Sequence, residues 1–382
     1  MLSAAASTHA QTLTTVIPSS TISQGSVAYS PTGYIFVSSY VGDDIEVISD
    51  SSNSMVADLT VAQGAPYGLA YDSVKGLIWV ATSGGATAIS DTPPFSTVTT
   101  VADTNGFEYA AFDPQTGDVF MCFQSYMSVI SDSTYATVAN VTQADGSLFS
   151  SSTYVDDSAK SEIFAISSTG ISVISAKTNK VTDTISLSGN PAYLAYDSGL
   201  GEIFVGNSEI ISGSSAYTIQ TIKDSNNQVY KTISIPTSSV SFLGPMAYNP
   251  NKGEIYISST TLVAIVSDKT NSYVGSVNTN GTSGGALAFD SATNSVYVVN
   301  SEGSETGTLG SMAVISDPPG SSSPTSAPTS TTGNSATSKP TSTPKVPEFS
   351  SPALALIAAI VAAATLCTVA SAKKTRLQRV TS

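Results

Sequence analysis

Short apolar runs recur from residue 11 to residue 317, broken by Gly, Asn, Asp and Ser. The clearest group is GLAYD (68–72), LIWVAT (77–82), ATAISD (86–91) and TVTTVAD (97–103). These runs are rich in Val, Ile, Tyr, Phe and Thr and alternate apolar with polar positions, which predicts β-strands. No segment of this region keeps a 3.6-residue apolar period, so the expectation is all-β. The four-run unit repeats. Its anchoring aromatics are Tyr29, Tyr71, Phe112, Tyr154, Tyr196, Tyr248 and Phe289, at separations of 42, 41, 42, 42, 52 and 41 residues. A period just above 40 with four strands per unit predicts the blades of a β-propeller, here seven. The strands are called A to D from the central channel outward.

The last unit ends at SMAVISD (311–317) without a fourth run, whereas LTTVIP (13–18) stands alone before the first unit. The expectation is that residues 13–18 supply strand D of the last blade and close the ring, which removes an unpaired edge.

Residues 33–72, GYIFVSSYVGDDIEVISDSSNSMVADLTVAQGAPYGLAYD, resemble the YVTN-type propeller repeat of prokaryotic surface proteins. GEIYISS (253–259), SDKTN (267–271) and SVYVVN (295–300) are similar to the same pattern. The namesake tetrapeptide reads FVSS, WVAT, FMCF, FAIS, FVGN, YISS and YVVN across the seven units. The resemblance implies an exported propeller with a surface or binding role and carries over no catalytic residue.

Beyond residue 317 the pattern changes. Residues 318–348 are almost all Pro, Ser, Thr and Gly, a composition that cannot form a core and reads as an extended stalk. Residues 349–372 carry no charge; the 20 residues after Pro352, ALALIAAIVAAATLCTVASA, would span about 30 Å as a helix and match a bilayer core. Lys373, Lys374, Arg376 and Arg379 follow in a basic tail, 373–382. A transmembrane helix with a cytoplasmic tail and an extracellular residue 1–347 segment is therefore expected. Pro347-Glu348-Phe349, the apolar span and the basic tail also resemble archaeal PEF-type sorting signals, which would imply removal of the span and its replacement by a lipid. Residues 1–10, MLSAAASTHA, read as the remnant of a signal peptide or leader that begins further upstream.

Charge sharpens this division. The chain of 382 residues is −14 overall and only 11% charged. Residues 11–317 hold 27 Asp/Glu against 8 Lys/Arg, so the repeat region is −19, and nucleic acid is an improbable partner. The chain has a single His, His9, and two Cys, Cys122 and Cys367, which leaves no material for a His-based metal site, a Ser-His-Asp triad or a disulfide framework. No cofactor is implied, no D-x-[DN]-x-[DN]-G calcium loop occurs, and no metal site is expected.

Carboxylates are the remaining catalytic candidates, and they are periodic. Asp72, Asp113, Asp197 and Asp290 follow strand A; Asp50, Asp91, Asp132, Asp224, Asp268 and Asp317 follow strand C; Asp118, Glu162, Glu202 and Glu254 open strand B. A catalytic pair is normally unique in a ring, whereas Asp repeated blade after blade is a turn former. All of them fall on the face carrying the A–B and C–D turns, which is expected to look toward the cell. The opposite face carries the B–C and D–A loops. Ser208–Ala216 and Ser301–Gly310 are its long B–C insertions, and its ligand-binding candidates are Tyr67, Phe107, Glu108, Tyr109 and Tyr193, with Phe149 and Phe242 nearby. Sequons at Asn140 and Asn280 lie in or after strand D and are glycosylation candidates.

The resulting expectation is a membrane-anchored, non-enzymatic surface propeller that binds a cell-envelope protein or glycan or contributes to the envelope itself. The alternative is an exported hydrolase or lyase acting on polysaccharides or lactones.

Overall fold

The computed structural model describes residues 11–19, 25–123, 125–211, 214–281, 284–300 and 310–316. His9, Cys367, the stalk, the apolar span and the basic tail lie outside these residues. Among the described residues no helix is long and apolar enough to cross a membrane.

Seven four-stranded antiparallel sheets form the ring. Six are built from consecutive strands. The seventh is completed by Thr12–Pro18, which pairs with Ser311–Ser316 and lies outermost. A bulge interrupts the C–D pairing of every blade at one equivalent place: Val47/Ile48, Ala88/Ile89, Val129/Ile130, Val173/Ile174, Thr221/Ile222 and Ile265/Val266. The N-terminal strand carries the same bulge, between Leu13 and Thr15. It is therefore a D strand in detail as well as in position, and the bulge adds local twist where each blade turns outward.

Successive A strands contact one another around the axis, as do those of the last and first blades. Strands B and C are buried on both faces. Leu77–Thr82 is buried at all six positions and Gly85–Ser90 at five of six. The reason is that each blade is covered front and back by its neighbours, so strands B and C lose the alternation expected from sequence, which persists in outer strands such as Thr97–Ala102. The core accordingly consists of seven apolar clusters, one per seam between blades. The cluster at the closing seam joins Ile17 and Met312 to Ile35, Val37 and Tyr297.

Blade 4 departs from the expected register. Its strand A, Phe149–Asp157, shifts register between Phe149 and Tyr154, and Asp156 stands opposite Ile163 as Tyr196 stands opposite Ile203 in blade 5. The repeat position thus belongs to Asp156, two residues beyond Tyr154. Tyr154 instead turns into the seam with blade 3, where its hydroxyl contacts Cys122 Sγ at 2.7 Å and the Ser150 carbonyl at 2.6 Å. The 208–216 insertion is also different from a loop. Strands Glu202–Ile211 and Ser214–Lys223 continue their ladder through Asn207/Thr218 to Ile211/Ser214, forming a projecting hairpin. The 301–309 insertion lies outside the described residues.

Candidate functional site

On the turn face, the acids that end strand A accept backbone hydrogen bonds from the residues just beyond. Asp72 Oδ1 accepts from Val74 and Lys75, Asp197 Oδ1 from Gly199 and Leu200, and Asp290 Oδ1 from Ala292 and Thr293. Asn249 does the same toward Asn251. These are Asx turns, local in origin and repeated around the ring. Cys122 is buried, and its thiol is pushed up to about 12 chiefly by that burial, so it is a poor nucleophile at neutral pH.

The other face gathers the D–A loops and B–C hairpins. Tyr67 is half-buried and stacks on Tyr40, with ring centroids 5.1 Å apart; Tyr40 itself is exposed. Burial raises the Tyr67 phenol, followed by Tyr40 and the Glu108 charge. Tyr109 packs edge-on against Tyr154 at 6.0 Å, and its hydroxyl is pushed up to about 12 by burial, with Tyr193, Glu108 and Cys122 adding to it. The fold therefore brings Tyr67, Glu108, Tyr109 and Tyr193 into one electrostatic neighbourhood over blades 2 to 5. Phe107 is not part of it. At 1% exposure it belongs to the apolar core between blades 2 and 3. Phe149 is likewise buried, between blades 3 and 4.

A larger feature lies beside this arc. Two depressions of ≈ 340 and ≈ 450 Å³ share Asn190 and run over blades 4, 5 and 6. The projecting hairpin walls the first, which is lined by Asn207, Ser208, Glu209, Tyr217 and Phe242; Ser150, Ser167, Thr169 and Gly189 line the second. Glu209 is the one charged residue of the two linings. Its Oε1 accepts from Ser188 Oγ at 3.0 Å and Asn207 Nδ2 at 3.2 Å. Asn207 is fully buried, donates to the Ser188 carbonyl at 2.6 Å, and leaves its Oδ1 without a hydrogen-bond donor. Gln220 braces the same loop through Ser188 Oγ at 2.7 Å. The trough is thus a mixed surface of amides, hydroxyls, the Glu209 carboxylate, two half-exposed rings and the exposed aliphatic side chains of Ile210 and Leu148, with no Lys or Arg in its lining.

No family model matches the chain, and no curated protein matches it either. The propeller and the trough on its loop face therefore stand on the geometry alone.

Sequence reasoning did not single out Asn207, Glu209 or Tyr217, which line the trough. Their only signal was the length of the 208–216 insertion. Both sequon asparagines are exposed: Asn140 on the outermost strand of blade 3, Thr137–Val141, and Asn280 just after Ser272–Asn278.

Proposed function

We propose that the protein is a membrane-anchored cell-surface propeller that binds an envelope glycan through its outward trough, without catalysis. The observation that carries this reading is the trough itself. Its lining of Asn190, Ser208, Ser167 and Thr169 offers donors and acceptors suited to sugar hydroxyls, while Tyr217 and Phe242 offer rings for the apolar faces of pyranoses. An anionic ligand would find no cation in the lining and would meet the Glu209 carboxylate.

The anchoring half of the proposal rests on the stalk, the apolar span and the basic tail. Strand C of the last blade ends at Ser316 opposite Ser295, which puts its exit on the turn face rather than the trough face. That exit supports a membrane-facing acidic face and an outward trough. The YVTN-type repeat, the archaeal PEF-type signal, glycosylation of Asn140 and Asn280, and an extracellular domain with a cytoplasmic tail belong to the same reading.

Isothermal titration of the full chain in detergent against envelope oligosaccharides tests the binding. The expected result is saturable binding that falls at least tenfold in Tyr217→Ala and Phe242→Ala, with unchanged thermal unfolding. Absence of binding to every oligosaccharide, or turnover of a polysaccharide or lactone, would overturn it. Release of a propeller-sized fragment from intact cells by protease tests the topology.

A further inference from the structure

Among the described residues, the seams between blades bring the residue ending strand A of one blade toward the residue following strand C of the next. Ser30 Oγ donates to Asp91 Oδ2 at 2.7 Å in the first seam. Carboxyl groups meet in most others: Asp72 faces Asp132, Asp157 faces Asp224, Asp197 faces Asp268, and Asp290 faces Asp50. The anchoring tyrosine stands over the pair. Tyr196 donates to Asp224 Oδ2 and Tyr248 to Asp268 Oδ2, each at 3.1 Å, and each also adjoins the acid of the preceding blade.

The seams differ in what balances the two negative charges. Lys75 and Lys160, each three residues past the strand A acid, reach across in two of them. Lys75 Nζ is 3.9 Å from Asp132 Oδ1; Lys160 Nζ is 3.0 Å from Asp224 Oδ1 and 3.8 Å from Asp157 Oδ2. In the seam between blades 5 and 6 the equivalent residue is Leu200, which is 54% exposed. Between blades 7 and 1 it is Thr293, whose hydroxyl donates to Asp290. Between blades 3 and 4 it is Thr116, donating to Asp113 Oδ2 at 3.0 Å. That last seam has also exchanged its partners: Ala176 replaces the acid after strand C, and Asp156 replaces the tyrosine.

In the 5–6 seam Asp197 and Asp268 are 0% and 3% exposed, and Asp197 Oδ2 and Asp268 Oδ1 have no donor. The two carboxyls nevertheless lie within hydrogen-bonding reach of each other. Other ionisable groups around them are already engaged. Glu202, opposite Asp197, pairs with Lys223 at 3.6 Å, Lys223 lies over the Tyr230 ring, and Glu254 accepts from Gln11 and Tyr256. Lys269 supplies only its backbone amide and is exposed. The 7–1 pair is flanked by Tyr29 and Tyr297, and Asp156 by Asp113 and Asp157, the latter held by Lys160.

We propose that the 5–6 seam closes on one proton shared by Asp197 and Asp268 in mildly acidic surroundings, and that Asp156 in the 3–4 seam, whose Oδ1 has no donor, takes up a proton of its own beside Asp113 and Asp157, so that acid tightens the ring and base loosens it. A proton does there what the lysine ammonium does in the neighbouring seams. It supplies a donor to an oxygen that has none and removes one of two adjacent buried charges. The electrostatics of the seams agree. Burial, then the facing carboxyl, pushes Asp268 up to about 6, and burial with Asp113 and Asp157 pushes Asp156 up to about 8; Asp50 moves in the same direction. A folded value above the unfolded one means stabilisation fully present below the ordinary carboxylate range and lost as pH rises through the folded value. The window is therefore roughly pH 4 to 8.

Thermal unfolding of the full chain in detergent between about pH 5 and pH 8 is the test. The wild type is expected to melt at least about 2–4 °C higher at the acidic end. Leu200→Lys, an exposed substitution, should raise the melting temperature at the basic end and flatten the profile near pH 6. Asp156→Asn should flatten the part near pH 8. An infrared band of protonated carboxyl, present in acid and weakened by Asp268→Asn, gives a readout that packing alone would not move. A wild-type profile that is flat or falls toward acid, or a Leu200→Lys profile parallel to wild type, would overturn the proposal. So would restoration of the basic-end melting temperature by millimolar calcium or potassium, which would make the occupant a metal ion.

Discussion

The Thr14 hydroxyl donates to the Val314 carbonyl at 2.9 Å across 300 residues of sequence. It does so from the bulge of the closing strand, at the one seam where the two ends of the ring are held by a strand from far away. Beneath it Ile17, 5% exposed, packs with Met312 and the first blade.

Ile17→Ala is expected to cost about 2–3 kcal/mol, the lower part of the range for burying a cavity of this size, because the residue sits near the rim. Chemical denaturation measures it. Deleting Thr12–Pro18 should do more, leaving Ser311–Ser316 as an open edge and producing self-association in sedimentation.

Cys122 should be inert in the folded ring. Its thiol is buried, raised to about 12 and in contact with the Tyr154 hydroxyl. With Cys367→Ser in place, a thiol reagent at neutral pH is expected to label the native protein at the rate of unfolding and the denatured protein at once. Rapid labelling of the native state would show that this seam opens.

Gly253 and Asp268 form a matched pair. Gly253 adopts φ +71°, and a Cβ there would meet the Asp268 carboxylate. Blade 4 shows the alternative: Ser161 holds the left-handed position and Ala176 stands where the acid would be. Gly253→Ser is therefore expected to lose about 1–3 kcal/mol, part of it regained in the double variant with Asp268→Ala. Gly275→Ala, with nothing within 4 Å of its Cβ and no left-handed backbone, should be neutral or mildly stabilising.

Much of the ring was legible in the chain before any coordinates. Strand B of blade 2, LIWVAT, appears at Leu77–Thr82 as its composition predicts, and the orphan run before Val27 pairs where the incomplete last blade required it. Turn acids such as Asp72 were readable as turn formers because an Asx turn involves only the next three residues. The register of blade 4 was not, because a bulge in strand A moved Asp156 into a position that an aromatic count gives to Tyr154. Nor was the burial of Phe107, which lies in a loop by sequence and in a seam by packing.

The sequence by itself determined the blade, its number and its closure, since alternation, turn chemistry and a repeat of about 40 residues are local signals written seven times. Only the tertiary structure decided which side chains face each other across the seams. Asp197 meets Asp268, and Lys160 meets Asp224, from neighbouring blades some 60 to 70 residues apart. It also set Asn207 beneath the trough wall, because the extra residues of blade 5 continued the ladder instead of looping out. Strand pairing within a blade follows from neighbouring residues; charge balance and ligand surface follow from how the blades stack.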